Sequence, residues 1–375
     1  MAADGSRTLR HRWRRMEQLN DADRAGSGNA APFLHALAGR PTERVPVWFM
    51  RQAGRSLPEY RALRGSGSIL DALREPRLAA EITLQPVRRY GVDAAILYSD
   101  IIVPVHAAGF GMDIVPGRGP VAEHPFRESA DLERLGRFSA AEDCDYVAST
   151  IKLVVGESRV PLIGLAGAPF TVASYLIEGE PSRTFVRTKQ LMHQEPALFA
   201  ALCSRLVEMT VDFLALQAEA GVQALQIFDS WVGALSEREY RRFVLPHMKE
   251  IFARTAELGV PVILFGTNTS HLLPTLGETG ARAIGLDHRT RIPDAAERLG
   301  DGIALQGNLD PTICLCSYDV IESEARAVLE ESRAARAYVF NLGHGVLPET
   351  DPGKLTALAE FVHDQGMAIR KSEVG

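Results

Sequence analysis

Long apolar runs, a cysteine framework and lysine are all scarce in this 375-residue chain, and each scarcity removes a class of protein. No stretch approaches the ~18 consecutive apolar residues that a membrane-spanning helix needs. Four cysteines, Cys144, Cys203, Cys314 and Cys316, are too few to staple a chain of this length. That suits a reducing compartment and predicts a cytoplasmic location. Cys314-x-Cys316 has the form of a metal fragment, yet no histidine or second cysteine pair lies near it in sequence, so no metal site is expected. Lysine numbers 5 against 36 arginines, and the formal net charge is -6. An acidic chain argues against a general binder of nucleic acid or anionic membranes, while leaving room for arginines gathered in one pocket around an anionic small molecule. Residues 1 to about 30 are polar and arginine-rich, interrupted by Asp4, Glu17, Asp21 and Asp23. They lack the apolar core of a signal peptide and read as a disordered tail ahead of one catalytic domain over 31–375.

Past residue 30, short apolar runs alternate with longer amphipathic stretches, the pattern of repeated βα units on a parallel sheet. Eight runs of strand length stand out: Val45–Met50, Asp93–Tyr98, Val160–Leu165, Gln223–Phe228, Val260–Phe265, Arg282–Leu286, Gly302–Gln306 and Ala337–Leu342. Helices are expected over 76–90, 141–155, 195–220, 236–258, 317–334 and 352–366. Ser236 with Glu239 makes a capping box, Asp351-Pro352 sets a cap followed by proline, and Gly221 and Gly259 close two helices. Eight units predict a single (β/α)8 TIM barrel with long connections after strands 2 and 3. A doubly wound open sheet is the alternative, but no G-x-G-x-x-G follows the first strand and no G-x-x-x-x-G-K-[ST] occurs anywhere.

In a barrel all strand ends ring one mouth, where such enzymes work. Here the first run ends in Arg51 and Arg55, the second in Tyr98-Ser99-Asp100, the third leads to Tyr175, the fourth ends in Asp229-Ser230-Trp231, and the last in His344 between two glycines. Arginines four apart around Gly54 form a fork for carboxylates, although chance alone gives roughly three such pairs at this arginine content. Each residue has two readings. Arg51 and Arg55 bind a ligand or make surface ion pairs with Glu59 in reach. Asp100 is a charge at the centre of the pocket or the cap of the next helix. Tyr175 is a substrate contact or a buried aromatic, Ser230 a contact or a cap, and His344 a ligand group or a turn residue.

The run Pro46-Val47-Trp48-Phe49-Met50-Arg51-Gln52-Ala53-Gly54-Arg55, continuing through Leu57-Pro58-Glu59-Tyr60-Arg61, resembles the N-terminal signature of the uroporphyrinogen decarboxylase family. Gly167-Ala168-Pro169-Phe170-Thr171 through Tyr175, Glu178 and Gly179 resembles its second signature. Thr83-Leu84-Gln85-Pro86, Ser99-Asp100-Ile101, Phe228-Asp229-Ser230-Trp231 and Asn341-Leu342-Gly343-His344-Gly345 are similar as well. The resemblance implies a barrel enzyme, a homodimer in the cytoplasm, with no cofactor. It would remove CO2 from the four acetate arms of a tetrapyrrole, uroporphyrinogen III, giving coproporphyrinogen III on the route to haem. By the same resemblance Arg51, Gln52, Ala53, Gly54, Arg55, Asp100, Tyr175, Ser230 and His344 bind the substrate, and Asp100 and Arg51 carry the chemistry. Ser56 departs from the family, which often has an aromatic there, and predicts a more open rim.

Two rival functions use related scaffolds. A zinc-dependent methyltransferase needs thiolates at strand ends where this chain has Phe265-Gly266-Thr267 and Gly343-His344. A non-catalytic tetrapyrrole carrier would keep the arginines but has no need of Asp100.

Overall fold

The computed structural model describes residues 31–40, 42–65, 67–115 and 117–374, with side chains through Met367; the expected tail over 1–30 lies outside them. Seven of the eight expected runs form one parallel sheet. Its strands are β1 (Ala95–Ile96), β4 (Leu162–Gly167), β5 (Ala224–Asp229), β6 (Val262–Gly266), β7 (Ala283–Gly285), β8 (Ala304–Leu309) and β9 (Tyr338–Leu342), paired in that order. All but one residue of these strands are buried. That explains why the runs read as continuous rather than alternating: a parallel sheet is covered on both faces. One apolar core runs from Phe33 to Val362.

The first expected run, Val45–Met50, is not a regular strand. It makes a single parallel bridge, Val47 to Phe340 of β9, through Trp48 N–H to Phe340 O (3.3 Å) and Phe340 N–H to Pro46 O (2.8 Å). On its other side Asp93 N–H donates to Val47 O at 2.8 Å. The ladder stops there because the Asp93 carboxylate, and not a second strand, takes the Val47 N–H (2.8 Å). The same carboxylate accepts from Arg44 Nη1 (2.8 Å) and His363 Nε2 (2.8 Å). One buried acid therefore joins the incoming chain, the start of the β1 run and the last helix.

Between β1 and β4 lies an antiparallel hairpin, β2 (Met112–Val115) and β3 (Gly119–Ala122), which the alternation of the sequence does not reveal. Its strands are only partly buried, the second opens on Gly119-Pro120, and the hairpin is anchored from outside by Ala122 N–H to Gly179 O (2.7 Å). The helix expected over 141–155 divides at Cys144 into Ala140–Asp143 and Asp145–Glu157. The one expected over 236–258 divides at Val244 into Glu237–Phe243 and Leu245–Thr255. Pro246, in the first turn of the second piece, has no N–H to continue the ladder. The Ser236–Glu239 capping box forms, Gly353 N–H caps on Asp351 (2.8 Å), and Gly221 and Gly259 adopt the left-handed conformation at helix ends.

Candidate active site

Arg51 follows the bridge segment and holds φ at +58°, a left-handed conformation that costs a non-glycine residue energy and persists only where its surroundings impose it. The imposing contacts are clear. Met50 N–H donates to Asn341 Oδ1 (2.9 Å) and Met50 O accepts from Val346 N–H (2.8 Å). Gln52 is fully buried, its Oε1 taking Phe49 N–H (3.0 Å) and its Nε2 donating to Ala94 O (3.0 Å). Both ends of the Gln52 amide are thus committed to the turn, so its side chain shapes the site instead of entering it. Ala53 and Gly54 continue that turn half-buried, and Leu57 N–H closes it on Gly54 O (3.0 Å).

Asp100 lies beyond β1. Thr83, buried in the helix Pro76–Tyr90, fixes the approach by accepting Tyr98 N–H (3.0 Å). Asp100 Oδ1 accepts Ile102 N–H (3.1 Å), a local turn of the kind a capping aspartate makes, although the helix Val103–Ala107 has no side-chain cap. The carboxyl is half-buried, reached by solvent from one side yet surrounded by protein mass. Burial raises its pKa, opposed by the N–H groups of Ile102 and Ile101 and by the charge of Arg51. Arg51 and Asp100 follow segments at opposite edges of the seven-stranded sheet, and they still act on each other.

Tyr175, on the helix Pro169–Glu178, faces the same pair. Burial and the Asp100 charge push its hydroxyl up, while Arg51 opposes them. Its ring lies 3.8 Å from that of Trp231, centroid to centroid. His344 joins from the end of β9. Its Nδ1 accepts Gly345 N–H (2.8 Å), so the proton of the neutral ring sits on Nε2, the remaining nitrogen. Burial, then the Arg51 charge, lower its pKa to about 4. Ser230 is half-buried after β5, and its carbonyl accepts from the Thr267 hydroxyl (2.5 Å). The short turn Val232–Ala234 that follows has no side-chain cap and the α-helix beyond it is capped by Ser236, which removes the capping reading of Ser230.

Arg55 has other neighbours. It lines a cavity of about 420 Å³ together with Tyr60, Arg61, Arg64, Gly65 and Pro348. Arg61 Nη1 donates to Arg55 O (3.0 Å), and the Arg64 guanidinium lies over the Tyr60 ring at 5.7 Å. The Tyr60 and Tyr98 hydroxyls are 3.2 Å apart, and Tyr98 lies two residues before Asp100, so this cavity adjoins the chain that carries Asp100. The fork read from the sequence therefore opens into two stations, Arg51 beside Asp100 and Arg55 beside two further arginines. Glu59 pairs with Arg89 (3.6 Å), and its salt bridge is not with the fork. Neither Arg61 nor Arg64 stands among the residues read from the sequence as substrate-binding, because arginines on an exposed helical face look like ordinary surface charge. Arg61 closes the resembling run and Arg64 lies three residues beyond it. Ser56 does not open the rim. It is buried beside Tyr90, whose hydroxyl burial pushes up to about 12.

Three of the four thiols, Cys144, Cys203 and Cys314, are buried, and burial raises Cys144 and Cys314 to about 12. Among the described residues no group of three or more His, Cys, Asp or Glu side chains is arranged to hold a metal ion, and no helix is long and apolar enough to cross a membrane.

Residues 29–365 match a family described as uroporphyrinogen decarboxylase (URO-D). A protein of that name from Salinispora tropica is 53% identical over 346 residues, covering 92% of this chain and 93% of its own. Another from Streptomyces coelicolor is 52% identical over 334 residues, covering 89% and 94%. Among solved structures, a methyltransferase from Methanosarcina mazei superposes with a TM-score of 0.74 at 20% identity, over 89% of this chain and 98% of that one. A likeness at that identity is one of fold alone.

Proposed function

This chain belongs to the uroporphyrinogen decarboxylase family, and from that membership we infer that it is a carboxy-lyase converting uroporphyrinogen III to coproporphyrinogen III. What supports the site assignment is that the Arg51 charge acts on Asp100, Tyr175 and His344 alike, residues that follow different segments of the sheet. Loss of CO2 from an acetate arm leaves an electron pair that needs a sink. Protonating the pyrrole ring carbon supplies one: the C–CO2 bond breaks into the cationic ring, CO2 leaves, and the exocyclic methylene takes a proton while the ring carbon returns one. An anion already in place stabilises the cation as it forms. Asp100 is that anion, accepting the pyrrole N–H groups. Arg51 holds a carboxylate at the reacting arm, and Tyr175, Ser230 and the neutral Nε2–H of His344 bind other arms. Gln52, Ala53 and Gly54 set the turn from which Arg51 reaches the substrate. Arg55, with Arg61 and Arg64, takes carboxylates projecting toward the neighbouring cavity.

We carry the rest of the family reading over in the same way. Val45–Met50, hydrogen-bonded to β9 on one side and to Asp93 on the other, serves as the eighth stave that closes the barrel. Residues 31–375 are one catalytic domain, and the enzyme works as a cytoplasmic homodimer, which sedimentation tests. The function is tested by anaerobic incubation with reduced uroporphyrinogen, then oxidation and a count of carboxylates on the product. Loss of four is expected. An unchanged octacarboxylate beside an active control would leave the carrier reading standing.

A further inference from the structure

Asp229 ends β5 and is 1% exposed. Its Oδ1 accepts the Thr171 hydroxyl at 2.6 Å, and the Thr171 oxygen in turn accepts Trp231 N–H at 3.2 Å. Thr171 lies in the first turn of the helix that carries Tyr175, and Trp231 stacks on Tyr175. Asp229 Oδ2 is buried without a hydrogen-bond partner. We propose that Asp229 is a positioning residue, which through Thr171 locks the Tyr175 helix to the Trp231 turn and so sets one wall of the mouth. This rests on the reading of Tyr175 as a substrate contact.

The lock is built for the neutral acid. The titratable groups facing Asp229 are Cys203 on the helix Pro196–Ala220 and Tyr240 on Glu237–Phe243, both kept uncharged by burial. Thr171 supplies its hydrogen bonds, and no cation among the described residues acts on it. A buried carboxylate with no positive partner is costly, so the proton stays on. Burial, opposed by Thr171, raises its pKa to about 7. As pH rises past that value Thr171, which favours the anion, keeps its bond, but the charged Oδ2 must find water or a new partner, and that movement shifts the Trp231 turn held through Thr171. Asparagine keeps an acceptor for Thr171 and cannot ionise.

The test compares wild type, Asp229→Asn and Thr171→Val between pH 5.5 and 9. Trp231 emission, isolated by subtracting Trp231→Phe, should titrate near pH 7 in wild type and stay flat in Asp229→Asn. The alkaline fall of kcat/KM should be absent from Asp229→Asn, whose rate at pH 6 stays within about threefold of wild type. Thr171→Val should lose about tenfold in kcat/KM at pH 6, the scale of one lost hydrogen bond. Asp229→Asn that titrates as wild type does in both readouts overturns the proposal. The emission titration needs no turnover, so it decides the lock even if the carboxylate count overturns the decarboxylase reading.

Discussion

Gly345 lies directly beneath the side chain of Arg51: a Cβ added there would sit 2.8 Å from Arg51 Cγ and 3.1 Å from its Cβ. The glycine is needed for space at this point, since the Met50 backbone just before the arginine is already pinned by Asn341 and Val346 and cannot retreat. Gly345→Ala should therefore swing the guanidinium away from Asp100 and lower kcat/KM by about 100-fold, as ångström-scale misplacement does. Circular dichroism should show an unchanged fold. Wild-type kinetics in this variant would mean that Arg51 is not held over the mouth.

Asp100→Asn should nearly abolish turnover with the fold intact, because the amide cannot balance a cationic pyrrole. The pH dependence adds a sign. Burial raises the Asp100 pKa in the empty enzyme, and the anion is the working form. The acid limb of kcat/KM, which reports free enzyme, should lie above the pH at which an ordinary aspartate titrates. In the complex the pyrrole N–H groups favour the anion, so the acid limb of kcat should move to lower pH. Coincident limbs would contradict this account.

Arg51 and Arg55 should separate kinetically because they face different neighbours. Arg51→Ala should cost ~2–5 kcal/mol in kcat/KM, the range for leaving a substrate carboxylate, buried on binding, without its hydrogen-bonded partner. Arg55→Ala should raise KM while leaving kcat nearly unchanged, as loss of uniform binding does. Equal effects on kcat would return the two to a single clamp.

His344, with its pKa lowered to about 4, is neutral from pH 6 to 8 and offers one N–H. Replacement by alanine should raise KM about tenfold or more, since a hydrogen bond to a charged group contributes ~1.5–3 kcal/mol. That factor should be the same at pH 6 and pH 8. A factor that collapses toward pH 8 would identify a cationic imidazole.

Asp93 governs stability and not chemistry. Burial would raise its pKa, but hydrogen bonds from His363 and Arg44 and their charges outweigh it and hold the carboxyl below 3.8. The contribution is present above that unfolded value and is lost as pH falls through the lower folded one. Asp93→Ala strands Arg44, His363 and the Val47 N–H together. Urea unfolding at pH 7 should show a loss of about 3–5 kcal/mol, shrinking in acid.

What the sequence determined by itself was local or strongly patterned. Buried strands such as β4 and β9 read as apolar runs because both faces of a parallel sheet are covered. The Ser236–Glu239 box and the glycines at 221 and 259 act within a few residues. The family, too, was legible, because its motifs are contiguous. Tertiary structure alone decided which of these residues meet. Val45–Met50 looked like any other strand, yet an aspartate 46 residues away takes one of its N–H groups and reduces it to a bridge. Arg51 and Arg55 looked like one fork, yet the left-handed turn at Arg51 sends one to Asp100 and leaves the other among Arg61 and Arg64. Spacing along a chain sets reach. Direction is set by hydrogen bonds to residues such as Asn341, which accepts from Met50 at a separation of 291 positions, and those exist only once the sheet has formed.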